Sequence, residues 1–184
     1  MHNDIASVLL SEEQIRERIR QLGQELLRDY ADKNPIFVGV LKGVVIFYAD
    51  MVRAFDAPCQ MELMRLASYS GTQSTGNMEL LQDLKADIAG RHVVILEDIV
   101  DSGRSLQYLC GLLKERSPAS LKICALLDKP EGRAEGIQLQ ADYVGFTVPN
   151  EFVVGFGLDY NEKYRNLPYV GILKPEVYLN QGEA

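Results

Sequence analysis

Three acids and a short polar turn fall within one run of thirteen residues, Val93-Val94-Ile95-Leu96-Glu97-Asp98-Ile99-Val100-Asp101-Ser102-Gly103-Arg104-Ser105. Glu97 and Asp98 are neighbours at the end of the apolar strand His92-Val93-Val94-Ile95-Leu96. Clustered carboxylates repel one another, so such a pair calls for a cation or for bound hydroxyl groups. Asp101 to Ser105 reads as a tight turn entering a helix. There Gly103 allows close backbone approach. Backbone N–H groups, Ser102, Ser105 and the helix N-terminus make an anion cradle. The turn is neither G-x-x-x-x-G-K-[ST] nor G-x-G-x-x-G, which excludes the two common phosphate-loop fingerprints. Two further strand ends carry polar residues, Lys42-Gly43 and Asp128-Lys129.

Other metal and nucleophile chemistry finds little support. Cys59, Cys110 and Cys124 are odd in number and form no C-x-x-C pair, which reads as buried thiols in a reducing compartment. His2 and His92 belong to no zinc-type cluster. A metal would be held by carboxylate and ligand oxygens, which favours magnesium. The net charge of −7 argues against broad nucleic-acid binding but leaves room for a local basic pocket. No apolar run reaches the roughly 20 residues of a membrane span, and no basic-then-apolar leader opens the sequence.

The elements that must position these groups alternate. Ser11 and Gln14 form a capping box, and Ile15, Ile19, Leu22, Leu26 and Tyr30 follow at helical spacing. Strands are expected at 36–41, 60–68, 92–96, 121–127, 143–147 and 169–173, with a short one at 78–81. Helices are expected from 44 to about 53 and after Ser105, where Leu106, Leu109 and Leu113 share a face. The polar stretch 69–77 reads as a mobile loop by composition. Continuous apolar strands alternating with helices predict an α/β fold, a mainly parallel sheet covered on both faces. Ligands of such sheets bind beyond the carboxyl ends of the strands, where the polar residues above stand. At 184 residues and 47% hydrophobic content, with no repeat or linker, the chain reads as one domain, 1–184.

Glu97 to Ser105 resembles the 5-phosphoribosyl-1-pyrophosphate (PRPP) motif of the type I phosphoribosyltransferases. Other segments narrow the likeness to the hypoxanthine-guanine phosphoribosyltransferase family. Leu41-Lys42-Gly43 is similar to its pyrophosphate loop. Ser68-Tyr69 and the segment after them are similar to its flexible lid. Asp128-Lys129-Pro130 is similar to its purine-reading strand end, and Phe152 to Glu162 to its C-terminal signature. The resemblance runs from about 10 to 175. Two departures stand out: Arg104 replaces a frequent Lys, and Gly132-Arg133 lies in a variable segment that touches none of the site positions.

The resemblance implies the type I phosphoribosyltransferase fold, with a small hood region. It implies transfer of ribose 5-phosphate from PRPP to a 6-oxopurine, hypoxanthine or guanine, giving IMP or GMP plus pyrophosphate. Glu97 and Asp98 would hold the ribose hydroxyls and their magnesium, and Asp159 a second magnesium near pyrophosphate. Asp101 would be the general base; taken alone it would be a helix N-cap. Ser102, Gly103, Arg104 and Ser105 would cradle the 5′-phosphate. Lys42, Gly43 and Arg165 would bind pyrophosphate, and the peptide before Lys42 can be cis in that family. By themselves Lys42 and Arg165 are ordinary surface cations. Lys129 would donate to the 6-oxo group, Phe152 would stack on the purine, and Val153 would offer backbone groups. Without the resemblance, 152–154 is a plain core strand. Ser68 and Tyr69 would cover the reacting centre. A homodimer or homotetramer in the cytoplasm, with no nucleic-acid or membrane partner, completes the expectation. An RNA-binding regulator would need a basic face, and a pyrimidine transferase would not need Lys129 and Phe152.

Overall fold

The computed structural model describes residues 1–68 and 78–179. Its elements in chain order are β1 (Ile5–Leu10), α1 (Glu12–Tyr30), β2 (Ile36–Leu41), α2 (Val45–Ala54), β3 (Gln60–Ser68), β4 (Met78–Gln82), β5 (His92–Val100), α3 (Arg104–Lys114), β6 (Ser120–Asp128), β7 (Tyr143–Thr147), β8 (Val153–Val154), β9 (Val170–Leu173) and α4 (Pro175–Leu179). Six strands form one sheet in the order β4-β3-β2-β5-β6-β7. Its pairs are parallel except β3 with β4.

The continuous apolar runs follow from burial on both faces. Phe37, Val94, Leu96, Cys124 and Leu126 pack with α1 and α2 on one side. Ile36, Val38, Val93, Ile95, Ile123 and Ala125 pack with α3 on the other. Successive residues of a strand point to opposite faces, so a strand covered twice has no polar positions in its middle. At the start of α1 the expected box is present: Ser11 Oγ accepts from the Gln14 N–H, and the Gln14 side chain accepts from the Ser11 N–H. Ile15, Ile19, Leu22, Leu26 and Tyr30 are the buried face of that helix.

The fold extends the sequence expectation in two places. A second sheet, order β1-β9-β8 and antiparallel, was not foreseen beyond a hood region. β1 is mostly exposed, so its sequence carries no clean alternation, and β8 is two residues long. The second difference is that β5 continues through the acids to Val100. Its register with β6 runs on to Ile99↔Leu127 and Val100↔Asp128, and this pairing holds the polar residues in the ladder. No helix among the described residues is long and apolar enough to cross a membrane.

Candidate active site

β5 aims its two acids apart and its end into a turn. Glu97 and Asp98 are successive strand residues and leave the sheet on opposite sides. Asp98 faces Gly43, where an added Cβ would collide with its carboxylate. Behind Gly43 lies Gly157, where a Cβ would strike the Gly43 carbonyl. The Gly43 backbone therefore meets the Asp98 carboxylate on one side and the Gly157 backbone on the other. The Leu41–Lys42 peptide is cis.

A cleft of about 480 Å³ opens at this junction, beyond the carboxyl ends of β2, β5 and β6. Gly43, Glu97, Asp98, Asp101, Ser105, Lys129, Phe152, Val153, Asp159 and Arg165 line it. Lys42, Ser102, Gly103 and Arg104 do not. Lys42 is exposed and its Nζ donates to Glu162 at 2.7 Å. Gly103 is the N-cap of α3 with φ +77, the left-handed region that only glycine enters without strain. That conformation turns the chain from the strand end into the helix. Of the expected lid, Ser68 ends β3 and pairs with Met78, while Tyr69 and residues 70–77 lie outside the described residues.

The acid pair is electrostatically loaded. Burial, then repulsion from Asp98, holds Glu97 well above the ordinary carboxylate range. Burial pushes Asp98 up to about 6; the Asp159 carboxylate adds to this, while the Ile99 N–H and Arg165 oppose it. Two recessed carboxylates that resist ionisation together suit a hard divalent cation. Among the described residues no three Asp, Glu, His or Cys side chains converge into a protein-only metal cage. Glu97 and Asp98 offer hard carboxylate oxygens at the cleft, a donor type that suits a divalent cation such as magnesium, which also keeps water and ligand oxygens. Asp159 is paired with Arg165 Nη2 at 2.8 Å. Arg165 also donates to the Gly157 carbonyl at 2.8 Å, and its buried Nε has no hydrogen-bond partner.

Lys129 is the buried charged side chain among the described residues, 6% exposed. Its Nζ donates to Asp101 Oδ2 at 3.0 Å. A donor and an acceptor of opposite charge thus sit side by side at the cleft wall. Phe152 is 37% exposed at the same wall, whereas Val153 beside it is buried and paired in β8. The segment is thus a core strand and a cleft wall at once. Tyr178 stacks on Phe152 with centroids 4.9 Å apart, and Tyr160 meets it edge-on at 5.5 Å.

One reading from sequence needs correcting. Gly132-Arg133 is no bystander to the site. Arg133 Nη1 donates to the carbonyls of Val100, Asp101 and Lys129 at 2.5, 2.7 and 3.0 Å, and Nη2 pairs with the Asp128 carboxylate. An added Cβ on Gly132 would meet Asp101 Oδ1 and Lys129 Cδ. The acceptors are mostly backbone carbonyls, which leave no trace in a sequence. The histidines have other roles: His92 bonds Ser120 Oγ at 2.8 Å and His2 bonds Tyr169 at 2.8 Å. Cys110 and Cys124 are buried, and burial pushes the Cys110 thiol up to about 11.

Residues 7–161 match the family model of the phosphoribosyl transferase domain. The chain is 52% identical over 181 residues to a hypoxanthine-guanine phosphoribosyltransferase of Streptococcus pneumoniae, covering 98% of this chain and 99% of that one. It is 54% identical over 179 residues to a bifunctional protein TilS/HprT of Listeria monocytogenes; the match takes in 97% of this chain and spans about 27% of the length of that relative. Among solved structures, a hypoxanthine phosphoribosyltransferase of Staphylococcus aureus superposes with TM-score 0.91 at 46% identity, covering 97% of this chain and 96% of that one.

Proposed function

The chain belongs to the hypoxanthine-guanine phosphoribosyltransferase family, and from that membership we propose that it transfers 5-phosphoribosyl from PRPP to a 6-oxopurine. Hypoxanthine gives IMP and guanine gives GMP, with release of pyrophosphate, in a reaction of purine salvage. The observation that carries the choice of base is the buried Lys129 ammonium held 3.0 Å from the Asp101 carboxylate. On a 6-oxopurine, O6 and N7 share one edge. A cation that can only donate suits O6, and a carboxylate that can only accept suits a proton on N7. The same ammonium finds no acceptor in the 6-amino group of adenine and makes no hydrogen bond to that base's 6-position.

The chain's residues then have these parts. Phe152 stacks on the purine, its far side backed by Tyr178. Asp101 accepts the N7 proton as the new bond forms. Glu97 and Asp98 hold the ribose hydroxyls. Backbone N–H groups of the turn 101–105, with Ser102, Arg104 and Ser105, hold the 5′-phosphate at the start of α3. Lys42, the Gly43 backbone and Arg165 receive the leaving pyrophosphate. Glu97 and Asp98, and Asp159 on the pyrophosphate side, would hold magnesium, which when bound would neutralise charge on the diphosphate. Positive charge grows on the sugar while negative charge grows on the leaving group, so fixed charges of both signs in one cleft stabilise the transition state. The same reading makes 1–184 one catalytic domain that works in the cytoplasm as a homodimer or homotetramer.

The test is turnover of hypoxanthine, guanine, xanthine, adenine and uracil with PRPP and magnesium. Hypoxanthine and guanine should be converted. Efficient adenine turnover would overturn the assignment of Lys129, and no turnover of any purine would overturn the function.

A further inference from the structure

Asp101 and Lys129 come from different strands, β5 and β6, and each lies just beyond its strand in an irregular segment. Something must hold the two ends in register, because the proton acceptor and the base reader have to meet one purine. The backbone supplies two ties. The Lys129 N–H donates to the Val100 carbonyl at 3.0 Å, and the Ala134 N–H to the Ser102 carbonyl at 3.0 Å. Between them sits Arg133, with its side chain 14% exposed. Its Nη1 faces the carbonyls of Val100 and Asp101 on one strand end and of Lys129 on the other. Its Nη2 pairs with Asp128, the last residue of β6. Its stem passes beneath the turn, with Cδ 3.5 Å from the place a Gly103 Cβ would occupy. A planar fork with several donors can satisfy acceptors on both sides at once, which an ammonium on a flexible stem cannot.

We propose that Arg133 is a positioning residue of the transfer reaction, locking the Asp101 end of β5 to the Lys129 end of β6. This rests on the functional reading above. Arg133 touches neither substrate; it acts through the backbone of the two residues that do. Gly132 belongs to the same device, since its missing side chain is what lets the carboxylate and the lysine stem close over the segment. Reacting groups misplaced by about 1 Å lose on the order of 100-fold in rate. Loosening the lock therefore acts on turnover of the purine before it acts on PRPP binding.

The experiment compares the unaltered chain with Arg133→Lys, which keeps the charge beside Asp128 but not the fork. Melting curves come first, then kcat and KM for hypoxanthine and for PRPP on the folded variant well below its melting temperature. The expected result is a fall in hypoxanthine kcat of roughly 10- to 100-fold, with the KM for PRPP near its original value. Methylguanidinium added to Arg133→Ala should restore part of the lost kcat, which a purely structural role would not produce. Normal kinetics in folded Arg133→Lys would overturn the inference alone. If neither Arg133 variant folds, Gly132→Ala must show the same loss in kcat, and normal turnover there overturns it equally. A lack of transfer by the unaltered chain would overturn the functional reading, and this inference with it.

Discussion

Lys129→Met removes the ammonium and keeps the stem. Its effect on folding and its effect on catalysis separate cleanly in this site. Asp101, the partner, is half in solvent, its side chain 50% exposed, so water replaces the lost donor. A pair with one exposed member contributes about 1 kcal/mol or less to stability. The substitution also relieves the desolvation of a buried cation, which works in the opposite direction. Folding stability should therefore barely move. Hypoxanthine, by contrast, loses a hydrogen bond from a charged donor inside the cleft, worth about 1.5–3 kcal/mol. At about 1.36 kcal/mol per tenfold, kcat/KM for hypoxanthine should fall roughly 13- to 150-fold. Adenine loses nothing, because the ammonium had no acceptor on it, so the ratio between the two bases should narrow by a similar factor. Steady-state kinetics with each base at saturating PRPP, alongside urea unfolding, reads both quantities. An unchanged ratio, with or without a loss of rate, would refute the role of Lys129 as the reader of the 6-oxo group.

Asp101→Asn keeps the shape of the turn and should lower kcat by roughly 10²–10⁴ with PRPP affinity nearly kept; a near-normal kcat would make Asp101 a bystander. Chelator should abolish transfer and magnesium or manganese should restore it; undiminished turnover in excess chelator would contradict the carboxylate metal site. In chelator the acid pair also sets a pH dependence. Its folded pKa values are raised, Asp98 to about 6, so the folded state binds more protons than the unfolded one between about pH 4 and 6. The contribution to stability is present at the acid end and is lost as pH rises through about 6. Asp98→Asn should flatten that fall in urea unfolding at successive pH values, and an unaltered slope would place its origin elsewhere. Gly103→Ala forces a side chain into a left-handed backbone at φ +77, against Ile137 Cγ2, costing about 1–2 kcal/mol. For a chain of this size that lowers Tm by roughly 2–8 °C, and an unchanged Tm would mean that the turn relaxes.

What a sequence displays depends on whether side chains or backbone carry the information. The helix start at Ser11 was legible because two side chains cap it, and the core strands because burial on both faces leaves only apolar residues. Glu97, Asp98 and Asp101 stood out as acids at a strand end and its turn, Lys129 and Phe152 through a resemblance to known motifs, and all five line one cleft. Lys42 stood out equally, yet its side chain turns to Glu162 instead. β1 escaped notice because an exposed edge strand has no pattern to show, whereas the plain strand reading of 152–154 did find β8. Arg133 escaped for a different reason. Its partners are carbonyls, which every residue has, so no residue type announces them.

The pairing of β1 with β9 joins residues 5–10 to residues 170–173, and this sets an order on biosynthesis. All six strands of the large sheet exist once Thr147 has been made, but β1 has no partner until Leu173 follows. At ribosomal rates of about 5–20 residues per second that gap lasts roughly 1–5 s. During it the acid pair and the turn at 101–105 can already stand on a paired sheet, while Phe152, Asp159 and Arg165 still lack the sheet that frames them. The nascent chain would thus hold the acid pair, the 101–105 turn and Lys129 before it holds the opposite wall of the cleft.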